Sequence, residues 1–376
     1  MNPNVSMKVR RSGCHVAFLA TLVMLVGGPT AAAQECPNPN WTVFATGLTN
    51  PRNIRFGPDG HLYVAEAGIG GNLPPTCEPA DNAFQPYSGG YTARISRVRP
   101  DGTRETVADN LPSSLDGFGD ALGVTDIAWI GNKMYALIEG GGCTRGLPND
   151  PTGVVRIHGD GSYTYVADIT AFIRANPVAN EPECGPAGDC DPDGVPHSLL
   201  VDGNQLLVVE TNHSSVLRVN PTTGAITRLY DLSVQDPAPI ILIRKGHDFY
   251  LGGFDGLIQT FDRGFGPVTT FDQGYSAIVG LLFIRNRLHV LETFAPETPW
   301  TPDTGRVLRR NRDGSRDVIA CGLNFPIGMA RKGRDLFVST VSYGQGPVEH
   351  LGQIVRIQLP PHDGGDGDDD DDDADN

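Results

Sequence analysis

Basic residues are scarce in this sequence. Twenty-nine Lys and Arg stand against 44 Asp and Glu, a formal net charge of −15. A surface of that sign disfavours nucleic acid and anionic membrane, which reward clustered cations. Beyond residue 26 no apolar run approaches the ~20 residues a membrane-spanning helix needs. No CxxC pair occurs and no His lies at finger spacing beside a Cys, which argues against a zinc finger. Nucleophile elbow, P-loop, dinucleotide fingerprint and HExxH are all missing. The glycines at 140–142 lack the strand-to-helix setting that phosphate binding requires. These absences leave no ready-made catalytic set.

What is present begins with a leader. Lys8, Arg10 and Arg11 precede the uncharged apolar run VAFLATLVMLV at 16–26, and Ala31-Ala32-Ala33 follows. That is the layout of a cleaved signal peptide, too short in its apolar part to span a bilayer. The reading is a protein secreted or periplasmic, cut after Ala33. Cleavage removes three basic residues, taking the charge from −15 to −18, and nine aspartates lie in the final 14 residues, DGGDGDDDDDDADN. The chain therefore divides into a leader (1–33), a body (34–360) and an Asp-rich, disordered tail (361–376). An acidic run of this kind is a solvated terminus and lacks an EF-hand register.

Six cysteines remain in the mature chain, and an even count in an exported protein favours disulfides. Cys77 and Cys143 fall in long connections of adjacent repeats, Cys184 and Cys190 bracket GPAGD, and Cys36 and Cys321 are left over. The expected pairs are Cys77–Cys143, Cys184–Cys190 and Cys36–Cys321.

An internal repeat dominates the body. NIRFGPDGHLYVAE (53–66) sets an apolar run, a Gly-Asp turn and a second run rich in β-formers. The pattern returns at 126–139, 198–210, 240–253, 280–292 and 328–340, six copies in all. With Tyr63, Tyr135, Leu207, Tyr250, His289 and Phe337 as markers, the spacings are 72, 72, 43, 39 and 48. A base period of ~40–50 with long insertions fits propeller blades. Third and fourth runs follow most pairs, such as ARISRVRPDG (93–102) and RETVADNL (104–111). The fold class is all-β, a six-bladed propeller of four-stranded blades. The last repeat stops at its third strand near Leu359, while an unmatched fourth-type strand, WTVFATGL (41–48), precedes the first. Pairing of that strand with the C-terminal blade would close the ring and remove sheet edges.

Two stretches resemble a known family. VFATGLTNPRNIRFGPDGHLYVAEAGIGGN (43–72) and VPHSLLVDGNQLLVVETNHSSVLRVNPTTG (195–224) look like the ScyD/ScyE proteins, exported NHL- or TolB-like propellers. The likeness spans roughly residues 41–359 and implies a fold and an exported location. It carries no agreed catalytic residues, and the Asp-rich tail is outside its pattern.

Long connections at 67–92, 140–152, 167–196, 293–304 and 341–351 share one face, and tight turns such as GPDG and RDG the other. Long loops on a rigid scaffold are where ligands usually bind. Ligand-binding candidates at that channel mouth are Arg52, Asn53, Asp126, His197, Asn212 and His213, with Glu139 in the same polar set. Glu66, Glu210, Asp255 and Glu292 are candidates to hold Ca²⁺ or another divalent cation, a hard ion that takes ~6–8 oxygens. They echo gluconolactonase-type propellers without matching a known quartet. His197 is a candidate general base, with Glu66 and Glu210 beside it as catalytic candidates, and a histidine bonded to a loop carbonyl is the competing use. A quinone cofactor is an anion and wants a basic pocket, which Arg52 and His197 alone do not make. Two functions stay open. One is a monomeric, non-catalytic module binding a small molecule, glycan or protein on the looped face. The other is a channel-centred enzyme, a metal-dependent lactonase-type hydrolase or a quinone-dependent sugar dehydrogenase. The first is favoured because no matched catalytic constellation is visible.

Overall fold

The structure, a computed structural model, describes residues 40–77, 82–342 and 349–359. The leader, Cys36 and the acidic tail lie outside the described residues. Among the described residues twenty-five strands form six antiparallel sheets arranged in a ring, a six-bladed β-propeller. Their innermost strands are Pro51–Phe56, Val124–Ile130, Pro196–Asp202, Pro239–Lys245, Ile278–Ile284 and Met329–Lys332, each touching the next around the ring.

The ring shuts as the strand count requires. Trp41–Leu48 is the outer strand of the last blade and runs antiparallel to Gly352–Gln358, from Trp41 opposite Ile357 to Leu48 opposite Gly352. The second strands are buried on both faces, as in Leu62–Glu66, where all five residues are buried. Neighbouring blades cover each sheet on both sides, so these strands read as continuous apolar runs rather than alternating ones. Leu206, Val208, Leu217 and Val219 of the third blade pack on Leu137 and Val154 of the second in this way.

Two connections differ from the reading as plain loops. Residues 88–92 extend the third strand of the first blade, Ser88–Val98, and pair with a fourth strand that runs on to Leu115 and to a fifth strand, Ala121–Leu122. Ile169–Ala175 forms a short helix, capped by Asp168, whose carboxylate accepts the Ala171 N–H at 2.7 Å. The disulfides Cys77–Cys143 and Cys184–Cys190 are formed, with Cα separations of 5.4 and 4.9 Å. Cys321 is disulfide-bonded, and its expected partner Cys36 lies outside the described residues. Among the described residues no helix is long and apolar enough to cross a membrane. The disulfides accord with an extracellular protein.

Candidate functional site

Glutamates at the ends of second strands build the loop-face end of the propeller, and three of the four share one job. Glu66 sits opposite Pro51, Glu210 opposite Pro196 and Glu292 opposite Ile278, all at the start of their inner strands. Each carboxylate turns back to the chain feeding that strand. Glu66 accepts the Thr49 N–H at 2.6 Å and the Ser96 hydroxyl, with Arg104 at 3.4 Å. Glu210 accepts the N–H groups of Val195 (2.8 Å) and His213 (2.9 Å), with the His213 ring nitrogen Nδ1 at 3.1 Å. Glu292 accepts the Ser276 N–H at 2.7 Å and Arg306 Nε at 2.5 Å. Burial raises the Glu210 carboxyl, and His213 with the two N–H donors more than reverses this, so it is held below its usual range.

These bonds use both oxygens of every one of the three. Asp255 is exposed and accepts the Leu257 N–H at 3.0 Å. Glu66, Glu210, Asp255 and Glu292 belong to four different blades. The four therefore do not fit a shared Ca²⁺ shell, which needs oxygens free to converge. Among the described residues no three His, Cys, Asp or Glu side chains are grouped to hold a metal. The glutamates are instead taken up by backbone N–H groups and by the side chains of Ser96, Arg104, His213 and Arg306.

Glu139 is different by one residue. In the second blade the residue opposite the inner strand's start is Ile138, paired with Val124, and Glu139 comes next, its N–H bonded to the Gly123 carbonyl at 2.7 Å. Successive side chains of a strand point to opposite faces, so this offset sends the Glu139 carboxylate away from the position its three counterparts occupy. Neither of its oxygens has a hydrogen-bond partner, and the residue is 1% exposed. Burial pushes its carboxyl up to about 7, with Arg52 and Arg145 drawing it partly back. His197 Nε2 lies 3.9 Å from Glu139 Oε1. Burial, then the Arg52 charge, lowers the imidazole to about 3, so His197 is neutral at pH 7. Its side chain is 18% exposed, which makes it the opening of an otherwise buried cluster.

Other sequence candidates are placed as follows. Arg52 is buried and donates to the Ala121 carbonyl. Asn53 Nδ2 donates to the His197 carbonyl at 3.0 Å, tying the first blade to the third. Asp126 is fully buried and taken up by Arg55 (2.7 and 3.0 Å) and the Leu199 N–H (2.8 Å). Asn212 accepts the Asp191 N–H at 2.8 Å and donates to the Asp189 carbonyl, anchoring the loop of the Cys184–Cys190 disulfide. His213 lies between Glu210 and Glu181 (3.7 Å). The structure thus brings together Arg52, Asn53 and His197 with Glu139, and leaves Asp126, Asn212 and His213 in supporting bonds.

The sequence reading missed Arg145. It lies in the turn Cys143–Arg145, fixed by the Cys77–Cys143 disulfide, and is fully buried. One arm donates to the carbonyls of Glu139 and Gly141 (3.2 Å) and to Thr152 (3.0 Å). The other reaches Asp191 at 2.6 Å and the Gly194 carbonyl at 2.9 Å. Gly142 permits this turn: its φ is 113°, and a Cβ there would lie 2.1 Å from Cγ of Asp193.

A titration follows from Glu139. The folded state keeps its proton up to about pH 7, whereas the unfolded chain loses it near the ordinary 4.5. Unfolding between those values releases a proton, so stability falls as pH rises through the window and levels off above it. The loss is on the order of 3 kcal/mol at ~1.4 kcal/mol per unit. Asp116, raised to about 6 by burial and by Asp120, acts in the same direction, so the comparison must be with Glu139→Gln. Urea unfolding from pH 4.5 to 8 should show the wild type losing stability relative to that variant. Parallel curves would mean that Glu139 is ionised throughout.

The channel itself opens at the other end. A cavity of about 620 Å³ is lined from Asn53 down the inner strands to the tight turns at Gly57–Gly60, Gly131 and Lys332–Gly333. Its open volume therefore lies on the tight-turn side, opposite the looped face.

No family model matches the sequence, and no curated protein matches it. Solved structures do match in shape. A structural-genomics protein of unknown function from Bacteroides thetaiotaomicron aligns over 84% of this chain and 70% of its own, at 11% identity and a TM-score of 0.50. A putative glucose dehydrogenase from Thermus thermophilus aligns over 85% of this chain and 99% of its own, at 14% identity and a TM-score of 0.49. Virginiamycin B lyase from Staphylococcus aureus aligns over 85% and 99%, at 13% identity and a TM-score of 0.48. At such identities only the fold is shared, and what defines this chain is its propeller and the cluster around Glu139.

Proposed function

We propose that the protein is an exported, ScyD/ScyE-like binding module whose small-molecule ligand docks at the loop-face end of the channel, on Arg52, Asn53, Glu139 and His197. The observation that supports it is Glu139, a buried carboxylate with two unpartnered oxygens. Leaving such a group unsatisfied costs more than a typical hydrogen bond returns, and a ligand that supplies O–H or N–H donors removes that cost. A neutral imidazole, a carboxamide and guanidinium groups around a carboxylate alternate donors with acceptors. That mixture suits a polyhydroxylated molecule such as a sugar or the end of a glycan. Entry is past His197, the partly exposed member.

A panel of neutral mono- and disaccharides tested by thermal shift on the mature protein checks the reading. At ~100 times its Kd a ligand stabilises by ~2.7 kcal/mol, several degrees in midpoint. At least one sugar should produce that shift in the wild type and lose it in Glu139→Gln and His197→Ala. No shift across the panel would sink the proposal.

A second reading is acid–base chemistry on the bound molecule, supported by the burial of Glu139 without hydrogen-bond partners, which pushes its carboxyl up to about 7. Turnover of a shifting sugar or its lactone, with a pH profile breaking near 7 that Glu139→Gln abolishes, would establish it.

A further inference from the structure

The channel cavity shares only Asn53 with the cluster just described, and its lining has a character of its own. In a chain of net charge −15, it is lined, among the described residues, by Arg55, Arg244, Arg331 and Lys332 and by no Asp or Glu. Its walls carry Ile54, Ile127, Leu199, Ile241 and Leu281, and nearer the turns stand the rings of Phe56, Trp129 and Phe283. Lys332 is exposed at the mouth, donates to the Gly60 carbonyl and stands 5.3 Å over the Phe56 ring. Arg55 is held against Asp126, and Arg244 shares Asp202 with Arg263, so the first two cations have acidic neighbours behind the wall. Arg331 and Lys332 end the last blade's inner strand, where Arg331 Nε donates to the Gly333 carbonyl at 2.7 Å, and mark its side of the mouth.

We infer that this cavity is a second binding site, entered from the tight-turn face, for an organic anion with an apolar body. Its volume of about 620 Å³ lies within the ~300–1,000 Å³ of small-molecule sites. Apolar walls recognise the body, and the cationic mouth recognises the acid group and raises its local concentration.

The chain's own acidic tail is the competing occupant. Described residues end at Leu359, which is bonded in both directions to Arg334 (3.0 and 3.3 Å), close to Lys332 in the same turn. The nine aspartates that follow match the charge of the mouth. The tail 361–376 has Pro361 and Ala374 as its only apolar side chains, a poor chemical match to the apolar walls. A small amphipathic anion satisfies both parts of the cavity.

Calorimetric titration of the mature protein with naphthalene-2-sulfonate, and with the neutral naphthalene-2-sulfonamide, tests the inference. One saturable site is expected for the sulfonate, weakened by added salt and at least several-fold weaker for the sulfonamide. Reversing Arg331→Glu with Lys332→Glu should weaken the sulfonate by about tenfold, as two attractions become repulsions. Arg312→Glu, on an outer turn, should change it little. Thermal midpoints are measured alongside, and Lys332→Ala gives the same direction, smaller in size, if the double reversal does not fold. Absence of a saturable site, equal binding of the neutral analogue, or indifference to the mouth charges would overturn the inference. Deleting residues 361–376 should leave the affinity within a few-fold. A gain beyond about tenfold would show that the tail is the occupant and overturn the small-anion site as well.

Discussion

Deleting residues 41–48 is expected to turn the protein into high-molecular-weight aggregate. The strand Trp41–Leu48 covers its neighbour from Gly352 to Ile357. Its removal leaves that strand as an open edge, a template for pairing with other chains. The packing lost is substantial: Leu48 is fully buried, Ala45 nearly so, and Phe44 stacks edge-on against Phe337 at 4.9 Å. Trp41 also donates to the Cys321 carbonyl at 3.0 Å, linking the last blade to the fifth. Burial of one large apolar side chain contributes ~1.5–3 kcal/mol, so two or three of them approach the whole net stability of ~5–15 kcal/mol. Size-exclusion chromatography and equilibrium unfolding of the truncated chain are the measurement. A soluble species that unfolds within ~1 kcal/mol of the parent would refute the role assigned to this strand.

The second large effect is expected at Arg145. Its guanidinium is fully buried, and its bonds to Glu139, Gly141, Thr152, Asp191 and Gly194 connect three segments of the looped face. Arg145→Met should destabilise by about 3–5 kcal/mol, because it strands the Asp191 carboxylate in a buried site. Lys should not rescue it, since a point charge cannot reproduce the planar fork of donors. The double change Arg145→Met with Asp191→Asn should recover a large part of the loss, the mark of two groups acting as a pair. Urea unfolding of the three variants decides this. A loss below ~1 kcal/mol for Arg145→Met would show that the pair does not hold the loops.

The propeller was legible because its signal is local and repeated. Each blade spells out two apolar runs and a turn, and the strand left over before Asn53 forces the closure. Disulfide pairing was partly legible for a related reason: adjacent repeats bring Cys77 and Cys143 to one rim. The site was harder to read. Composition offered carboxylates for a metal, but the N–H groups of Thr49, Val195 and Ser276 that take them up leave no mark in side-chain chemistry. The distinct place of Glu139 was written in spacing. It lies four residues past its marker Tyr135, whereas Glu66, Glu210 and Glu292 lie three past theirs. That difference acquires meaning only once strand faces are assigned. Arg145 sits in irregular chain, where no periodicity points to a buried charge. The seven-residue helix Ile169–Ala175 is too short to show a 3.6-residue rhythm.

The closure of the ring also has a consequence in time. The strand at 41–48 is synthesised before every blade, yet its partner at Gly352–Gln358 comes near the end of the body. At ~5–20 residues per second, roughly 15–60 s separate the two. Throughout that interval the ring stays open, because the last pairing joins residues some 300 positions apart and such contacts form late. A polypeptide built in this order keeps its ring open until it is nearly complete, so the final closure is a step of assembly separate from the folding of each blade.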